Sequence, residues 1–240
     1  MTGLSAEQDF STHFHGAEVL PSSQGDLMRS VYALRFQVYC IECGFLDQAD
    51  FPNGQEVDEH DENSAHFVAV NLEDEVAGYV RLVSPDAIHT FPFQNHCVSL
   101  LAGAVLPPAS QSAEISRLMV RHDYRRRAGE LPPIGGLAAK QGADLPNERR
   151  APSPQILLSM YRQMYAHSVQ NGIRYWYAAM ERSLARALGR LHFGFRQIGP
   201  ATDYYGPVAP YVADLRVLEM QLSQHNPALL SWMRSTPEPL

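Results

Sequence analysis

"AEISRLMVRHDYRRR", residues 113–127, sets one carboxylate, Glu114, near the start of an apolar run that reads as a β-strand and ends in arginines. Burial and charge meet there. On a partly buried strand, desolvation favours the neutral form of a carboxyl and nearby cations, such as Arg117 or Arg35, favour the charged form. Such a group can be tuned as a general base, acting directly or through water. A buried structural ion pair with Arg117 or Arg35 is the alternative use of the same residue.

Working outward from this strand, "AHFVAV" and "VAGYVRLV" read as a hairpin joined by the acidic turn "NLEDE". Before them, Leu27, Val31, Leu34, Val38 and Ile41 recur at helical spacing. Asp26 is a candidate cap for that helix, Gly44 a candidate stop, and Arg35 falls beside Val31 and Val38. Residues 86–112 hold Pro92, Pro107 and Pro108 and read as an irregular connection. After the strand, residues 128–153 form a long loop rich in Gly, Pro and Ala, and a helix is predicted over 154–171. A strand "IRYWYAAM", a short helix "SLARALGRLH", a short strand "FRQIG" and a last strand "YVADLRVLEM" follow. Residues 1–24 read as a mobile tail leading into a short strand at Glu18–Leu20, residues 25–225 as a single domain, and 226–240 as a C-terminal tail. Strands bunched early and then alternating with helices point to a mixed α/β (α+β) sheet flanked by helices.

Bulk properties narrow the function classes. The chain of 240 residues is 45% hydrophobic, long enough for one sizeable core. Apolar runs are broken well before the roughly eighteen residues that a membrane span needs, so stable membrane insertion is not expected and the cytoplasm is the expected location. Three cysteines, Cys40, Cys43 and Cys97, cannot close a disulfide set, which fits a reducing compartment. Cys40 and Cys43 have metal-pair spacing, but no second pair completes a zinc site; buried thiols and no metal are expected. A net charge of −7 argues against a nucleic-acid surface. The charge is uneven, with eight acids and no Lys or Arg between Glu42 and Glu62, and an excess of Arg and Lys over residues 121–150. An acidic partner suits the second region.

Four pieces stand in series: "LRFQVYCIECGF", "EVDEHD", "GYVRLVSP" and "EISRLMV". In that order they resemble the autoinducer synthase (LuxI type) and N-acyl amino acid synthase branch of the GNAT acyltransferase superfamily. "YRRR", "MERSLARAL" and "IGPATDYYGPVAPYV" extend the likeness to the acyltransferases associated with PEP-CTERM/exosortase sorting systems. That group more often has His where Tyr205 stands and Arg near Val208. The fold implied is GNAT-like: a mixed, mostly antiparallel central sheet with a splayed strand pair, flanked by helices.

Carried over residue by residue, the resemblance makes Glu114 the catalytic residue. It maps the loop acids to Glu56, Asp58 and Asp61 and assigns Arg35, Tyr39, Phe45, Asp58, Asp61, Arg81 and Arg117 to the acceptor pocket, where Arg35 and Arg81 would tie down the acidic loop and offer a fork to a carboxylate. Backbone amides of a bulge near Leu118, Met119 and Val120 would stabilise the oxyanion, and Trp176 and Tyr177 would line a wedge between splayed strands. Arg125, Arg126 and Arg127 would meet the phosphates of the acyl donor or the acidic face of a carrier protein; a solvated basic loop is the alternative. Asp58 and Asp61 likewise have the alternative of a solvated acidic loop. His66 reads as a core histidine.

The implied reaction moves a fatty acyl group from acyl carrier protein, or from acyl-CoA, to the amine of an amino acid or similar small molecule, with no permanently bound cofactor. Two competing readings remain. One is an acyl-homoserine lactone synthase using S-adenosylmethionine; the other is a non-catalytic module that binds acyl groups or acyl carrier protein.

Overall fold

The computed structural model describes residues 14–88, 90–125 and 153–235. Its strands are β1 (His15–Val19), β2 (Ser64–Val70), β3 (Val76–Val83), β4 (Ser112–Val120), β5 (Tyr175–Met180), β6 (Arg196–Gln197), β7 (Thr202–Asp203) and β8 (Pro207–Asp214). Its helices are α1 (Gly25–Phe36), α2 (Ser153–Gln170), α3 (Arg182–Arg190), α4 (Leu215–His225) and α5 (Pro227–Arg234). The sheet runs β1-β2-β3-β4-β5-β8-β6, with β7 on β8. Among the described residues only β4 and β5 pair in parallel, because α2 carries the chain back across the sheet between them.

Alternation along each strand sorts side chains to two faces. Ile115, Trp176 and Val80 point to the face covered by α2 and the C-terminal helices, where Ile156, Met164, Leu218 and Leu229 complete the main core. Each such fully buried aliphatic side chain contributes roughly 1.5–3 kcal/mol. Helix α2 lies against the sheet at backbone distance. A Cβ on Gly16 would stand 2.3 Å from the Ser159 carbonyl oxygen, and one on Gly78 2.7 Å from Ile156. The opposite face is covered in two parts. Met28, Val31 and Leu34 of α1 pack on Val68, Tyr79 and Met119, while Phe91 and Phe93 of the β3–β4 connection pack on Tyr177 and Val212.

One irregularity decides where β4 presents its residues. Arg81 pairs with Ser116 and Tyr79 with Met119, so a single β3 residue opposes Arg117 and Leu118. This is a β-bulge, and Arg117 takes φ 54° within it. The extra residue resets the alternation: Glu114 and Ser116 lie on the α1 side, and beyond the bulge Met119 does too. Val120 turns to the α2 side.

Several expectations are corrected. The first strand is β1, His15–Val19, and it pairs along β2 in the central sheet, so residues from 15 onward belong to the domain. Residues Leu215–His225 are helix and not the end of a strand: Asp214 caps them by accepting from the Arg216 N–H, and Leu215, Leu218 and Leu222 are buried at helical spacing. Residues 227–234 form α5, with Leu229, Leu230 and Met233 buried, where a tail was expected. Helix α1 is shorter than its periodic pattern, because the chain widens into a π-helical turn over Gln37–Glu42 before Gly44 ends it at φ 62°. Cys40 and Cys43 fall on and beside that turn as free thiols, Cys40 buried. Among the described residues no helix is long and apolar enough to cross a membrane.

Candidate active site

The acidic loop after α1 folds back onto three arginines from separate elements. Arg35 of α1 donates from Nε to Glu56 Oε2 and from Nη1 to Asp61 Oδ1, the latter at 2.5 Å. Arg81 of β3 holds Asp58 in a two-pronged contact at 2.6 and 2.7 Å and reaches Asp61 at 2.5 Å. Arg117, from the bulge, donates to Glu56 Oε1 at 3.0 Å and Asp58 Oδ2 at 2.9 Å. The three positive and three negative charges cancel, which is what permits their burial. Burial opposes ionisation of Glu56, Asp58 and Asp61, yet the bonds and charges of the arginines outweigh it and hold all three below the usual carboxylate range.

His66 closes the inner end of this network. Its Nε2 lies 3.0 Å from the Asp61 carbonyl oxygen and its Nδ1 2.7 Å from the Tyr79 hydroxyl. A carbonyl only accepts, so the hydrogen-bond network assigns the proton to Nε2, and Nδ1 accepts from Tyr79. Burial keeps the ring neutral by lowering its pKa.

Glu114 has none of these partners. It is 3% exposed, and among the described residues its one hydrogen bond is accepted by Oε2 from the Phe93 N–H at 2.9 Å. Burial pushes its pKa up to about 8, against the opposing pull of the Phe93 amide and of the charges on Arg81 and Arg117. The alternative of an ion pair with Arg35 or Arg117 is not what the chain adopts, because both guanidinium groups are bound to the acidic loop.

Two cavities meet at Ser116 and Arg117, and Glu114 lines the first. Strands β4 and β5 pair from Ser112–Tyr175 to Ile115–Ala178 and then part. A cavity of about 120 Å³ lies in the fork, with Glu114, Arg117 and Leu118 on one side, Ala178 and Met180 on the other, and Tyr161 and Leu184 from the helices. A second, polar cavity of about 290 Å³ is lined by Asp58, His60, Arg81, Pro92 and His96. Ser116, Arg117, Tyr204 and Tyr205 line both. The wall between them is aromatic: Phe45 meets Tyr39 and Tyr205, with ring centres 6.1 and 5.5 Å away, and Tyr204 stacks on His96 at 3.7 Å. The Arg117 guanidinium lies 4.8 Å from the Tyr39 ring centre. The β7–β8 turn delivers both tyrosines, with Tyr205 at φ 55° and Gly206 at φ 101°.

The structure brings Glu114, Arg35, Tyr39, Phe45, Glu56, Asp58, Asp61, Arg81, Arg117 and Leu118 to one place. It departs from expectation at several others. Arg35 and Arg81 are buried and bonded to the acidic loop, and of the two Arg81 lines the polar cavity. The bulge sits at Arg117–Leu118, and Met119 and Val120 are buried opposite Tyr79 and Gly78. Trp176 and Tyr177 do not line the fork, because they precede the point where the strands part; Ala178, Ala179 and Met180 do. Arg125 is turned inward, bonded to Glu42 at 2.7 Å and to the Val120 carbonyl at 2.6 Å. Arg126 and Arg127, with the rest of the 128–153 loop up to 152, lie outside the described residues.

Sequence reading missed Phe93, His96, Tyr204 and Tyr205. For the tyrosines a signal existed in "DYYG", where a turn residue follows two aromatics. For Phe93 the functional group is a backbone amide, which leaves no trace in residue type.

Residues 34–131 match the acetyltransferase (GNAT) domain model. Comparison with curated proteins gives no match. Among solved structures the chain is similar to BjaI, a CoA-dependent acyl-homoserine lactone synthase, at 16% identity and TM-score 0.60, covering 89% of each chain. It is similar to the acyl-homoserine lactone synthase LasI at 15% identity and TM-score 0.58, covering 85% of this chain and 91% of that one. FeeM, an N-acyl amino acid synthase from uncultured soil microbes, aligns at 14% identity and TM-score 0.51 over 89% of this chain and 98% of its own. Residues 34–131 thus carry the acetyltransferase (GNAT) domain match, and the chain as a whole shares its fold with these structures.

Proposed function

We propose that the protein is an N-acyltransferase that moves a fatty acyl group from a thioester donor to the amine of an amino acid or similar small molecule. The observation that carries this reading is the placement of Glu114: a buried carboxylate with no ion pair among the described residues, lining the cavity where β4 and β5 part, two residues before Ser116, which lines both cavities. The fork, with Leu118, Ala178, Met180 and Leu184 beside Glu114 and Arg117, suits the acyl-thioester end of the donor, and the polar cavity suits a small acceptor. In the transfer, the amine nitrogen attacks the thioester carbonyl carbon and the carbonyl electron pair moves onto oxygen. Glu114 takes the amine proton, the C–S bond breaks as the carbonyl re-forms, and the proton passes from Glu114 to the departing thiolate. Amides freed from the ladder at the Arg117–Leu118 bulge suit the transient oxyanion. No permanently bound cofactor takes part.

The donor in this reading is acyl carrier protein, with acyl-CoA as the alternative, and the setting is the cytoplasm, in keeping with three free thiols. The likeness of "MERSLARAL" and the 198–212 segment to the PEP-CTERM/exosortase-associated acyltransferases supports that branch. A second reading is homoserine lactone synthesis, since the BjaI structure contains S-adenosylmethionine together with isopentyl-CoA. Mass spectrometry of lipid extracts from cells expressing the chain or its Glu114→Gln variant separates them. An N-acyl amino acid found only with the unaltered chain is the expected product. An acyl-homoserine lactone would establish the second reading, and donor binding by purified protein without any acylated amine would favour a binding module. Offering purified protein the same acyl group on carrier protein and on CoA distinguishes the donors.

A further inference from the structure

The β3–β4 connection has no task in the reaction as written, yet it makes the closest polar contact to the base. Within it, Pro92–Asn95 forms a 3-10 turn with Pro in its first position. The turn is closed from both ends: Gln94 N–H donates to the Phe91 carbonyl at 3.0 Å, and Gln94 Oε1 accepts from the Phe91 N–H at 2.9 Å. The Phe93 carbonyl accepts from Cys97 at 2.7 Å and His96 at 3.1 Å. Near the start of such a turn an N–H has no acceptor within the turn, and the Phe93 N–H points out to Glu114 Oε2 at 2.9 Å. The Phe93 ring fixes the turn against Tyr177, 5.0 Å away. At its other end, Pro92 and His96 line the polar cavity.

We infer that this 3-10 turn is the positioning element of the site: the Phe93 amide holds one oxygen of Glu114 and leaves the other for the cavity between β4 and β5. The inference rests on Glu114 being the base of the proposed transfer. A desolvated carboxylate with three side-chain torsions needs at least one directional contact to stay aimed. Neighbouring groups do not supply it. Arg81 from β3 and Arg117 from β4 act on Glu114 through charge alone, and Cys97 from the connection and Tyr204 from the β7–β8 turn feel its charge without bonding to it. The amide both orients the carboxylate and favours its ionised form, the form that accepts a proton.

The test replaces residue 93 of the full chain with phenyllactic acid, which keeps the ring and turns the Phe93 N–H into an ester oxygen. Losing a hydrogen bond to a charged group moves the titration of Glu114 upward by about one unit. Turnover at neutral pH then falls about tenfold, since the ionised fraction falls by that factor, and recovers at higher pH while the donor KM is unmoved. The midpoint of that titration is read without turnover from the pH dependence of the stability difference between each chain and its Glu114→Gln counterpart. If the ester chain fails to fold, Gln94→Ala loosens the turn and moves the midpoint the same way by less. A midpoint unchanged in the folded ester chain, or unchanged in Gln94→Ala, overturns the inference. A shifted midpoint in a chain that transfers no acyl group upholds the positioning and defeats the functional reading instead.

Discussion

Glu56 and Glu114 are both glutamates with almost no exposure, 1% and 3%, and both lie in the field of Arg117. Their chemistry is opposite. Glu56 is bonded to Arg35 and Arg117 and stays ionised well into acid. Glu114 accepts one backbone N–H, and burial pushes its pKa up to about 8. The difference shows that burial by itself does not decide whether a carboxyl is structural or reactive. What decides is whether a guanidinium has been brought within bonding distance, and here Arg35, Arg81 and Arg117 are all turned to the acidic loop.

The sharpest way to break that contrast is Glu114→Gln, which keeps shape and removes the base. Turnover is expected to fall by about 10²–10⁴ in a steady-state assay, with donor affinity unchanged by calorimetry. Unaltered turnover would remove Glu114 from the chemistry. The converse change, Glu56→Ala, leaves Arg35, Arg81 and Arg117 facing only Asp58 and Asp61 and is expected to cost about 3–5 kcal/mol in denaturant unfolding. A loss under about 1 kcal/mol would mean that Asp58 and Asp61 alone compensate the arginines.

Titration of stability separates the two glutamates by sign. Glu114 has a folded-state pKa of about 8 against an ordinary value of 4.5. The unfolded chain therefore ionises first, and stability falls as pH rises from 4.5 to about 8. Glu114→Gln is expected to match the unaltered chain below that window, to gain on it through the window, and to hold a constant advantage of a few kcal/mol above it. Glu56, Asp58 and Asp61 behave the other way. Their lowered folded-state pKa values give stability that is complete above the ordinary carboxylate range and is lost as pH falls through and below it. Parallel denaturant series on the two chains read both limbs, and a difference flat with pH would contradict the assignment to Glu114.

The smallest expected effect is at the aromatic wall. Tyr205 holds φ 55°, a region that costs a side-chain-bearing residue about 1–2 kcal/mol. Tyr205→Gly relieves that cost while opening the wall between the cavities, so stability should hold or rise slightly. KM for both substrates should increase. An unchanged KM would show that the wall does not shape either pocket.

Much of this site was readable in the chain because its parts lie on periodic elements. Helical spacing fixed Arg35 beside Val31 and Val38, and strand alternation set Glu114 apart from Ile115. Other features left weaker marks. "LRVLEM" reads as alternating until Asp214 is recognised as a cap, and α5 is too short for its pattern to stand out from a tail. The bulge at Arg117–Leu118 has no signature in residue type, since neither residue is the glycine that a positive φ would advertise.

By itself the sequence determined which residues carry charge, in what order, and on which element each rides: an arginine helix, an acidic loop, an arginine strand, and a strand opening with Glu114. These follow from local periodicity and turn chemistry, which act within a few residues along the chain. Only the tertiary structure decided which carboxylates meet arginines and which one is left without. That choice depends on the bulge that turns Arg117 toward Glu56 and Asp58, on the parting of β4 from β5, and on a backbone amide contributed by the β3–β4 connection. Hydrogen bonds act only at direct contact and charge effects over about 10 Å, so the fate of each carboxyl was set by neighbours far from it in sequence.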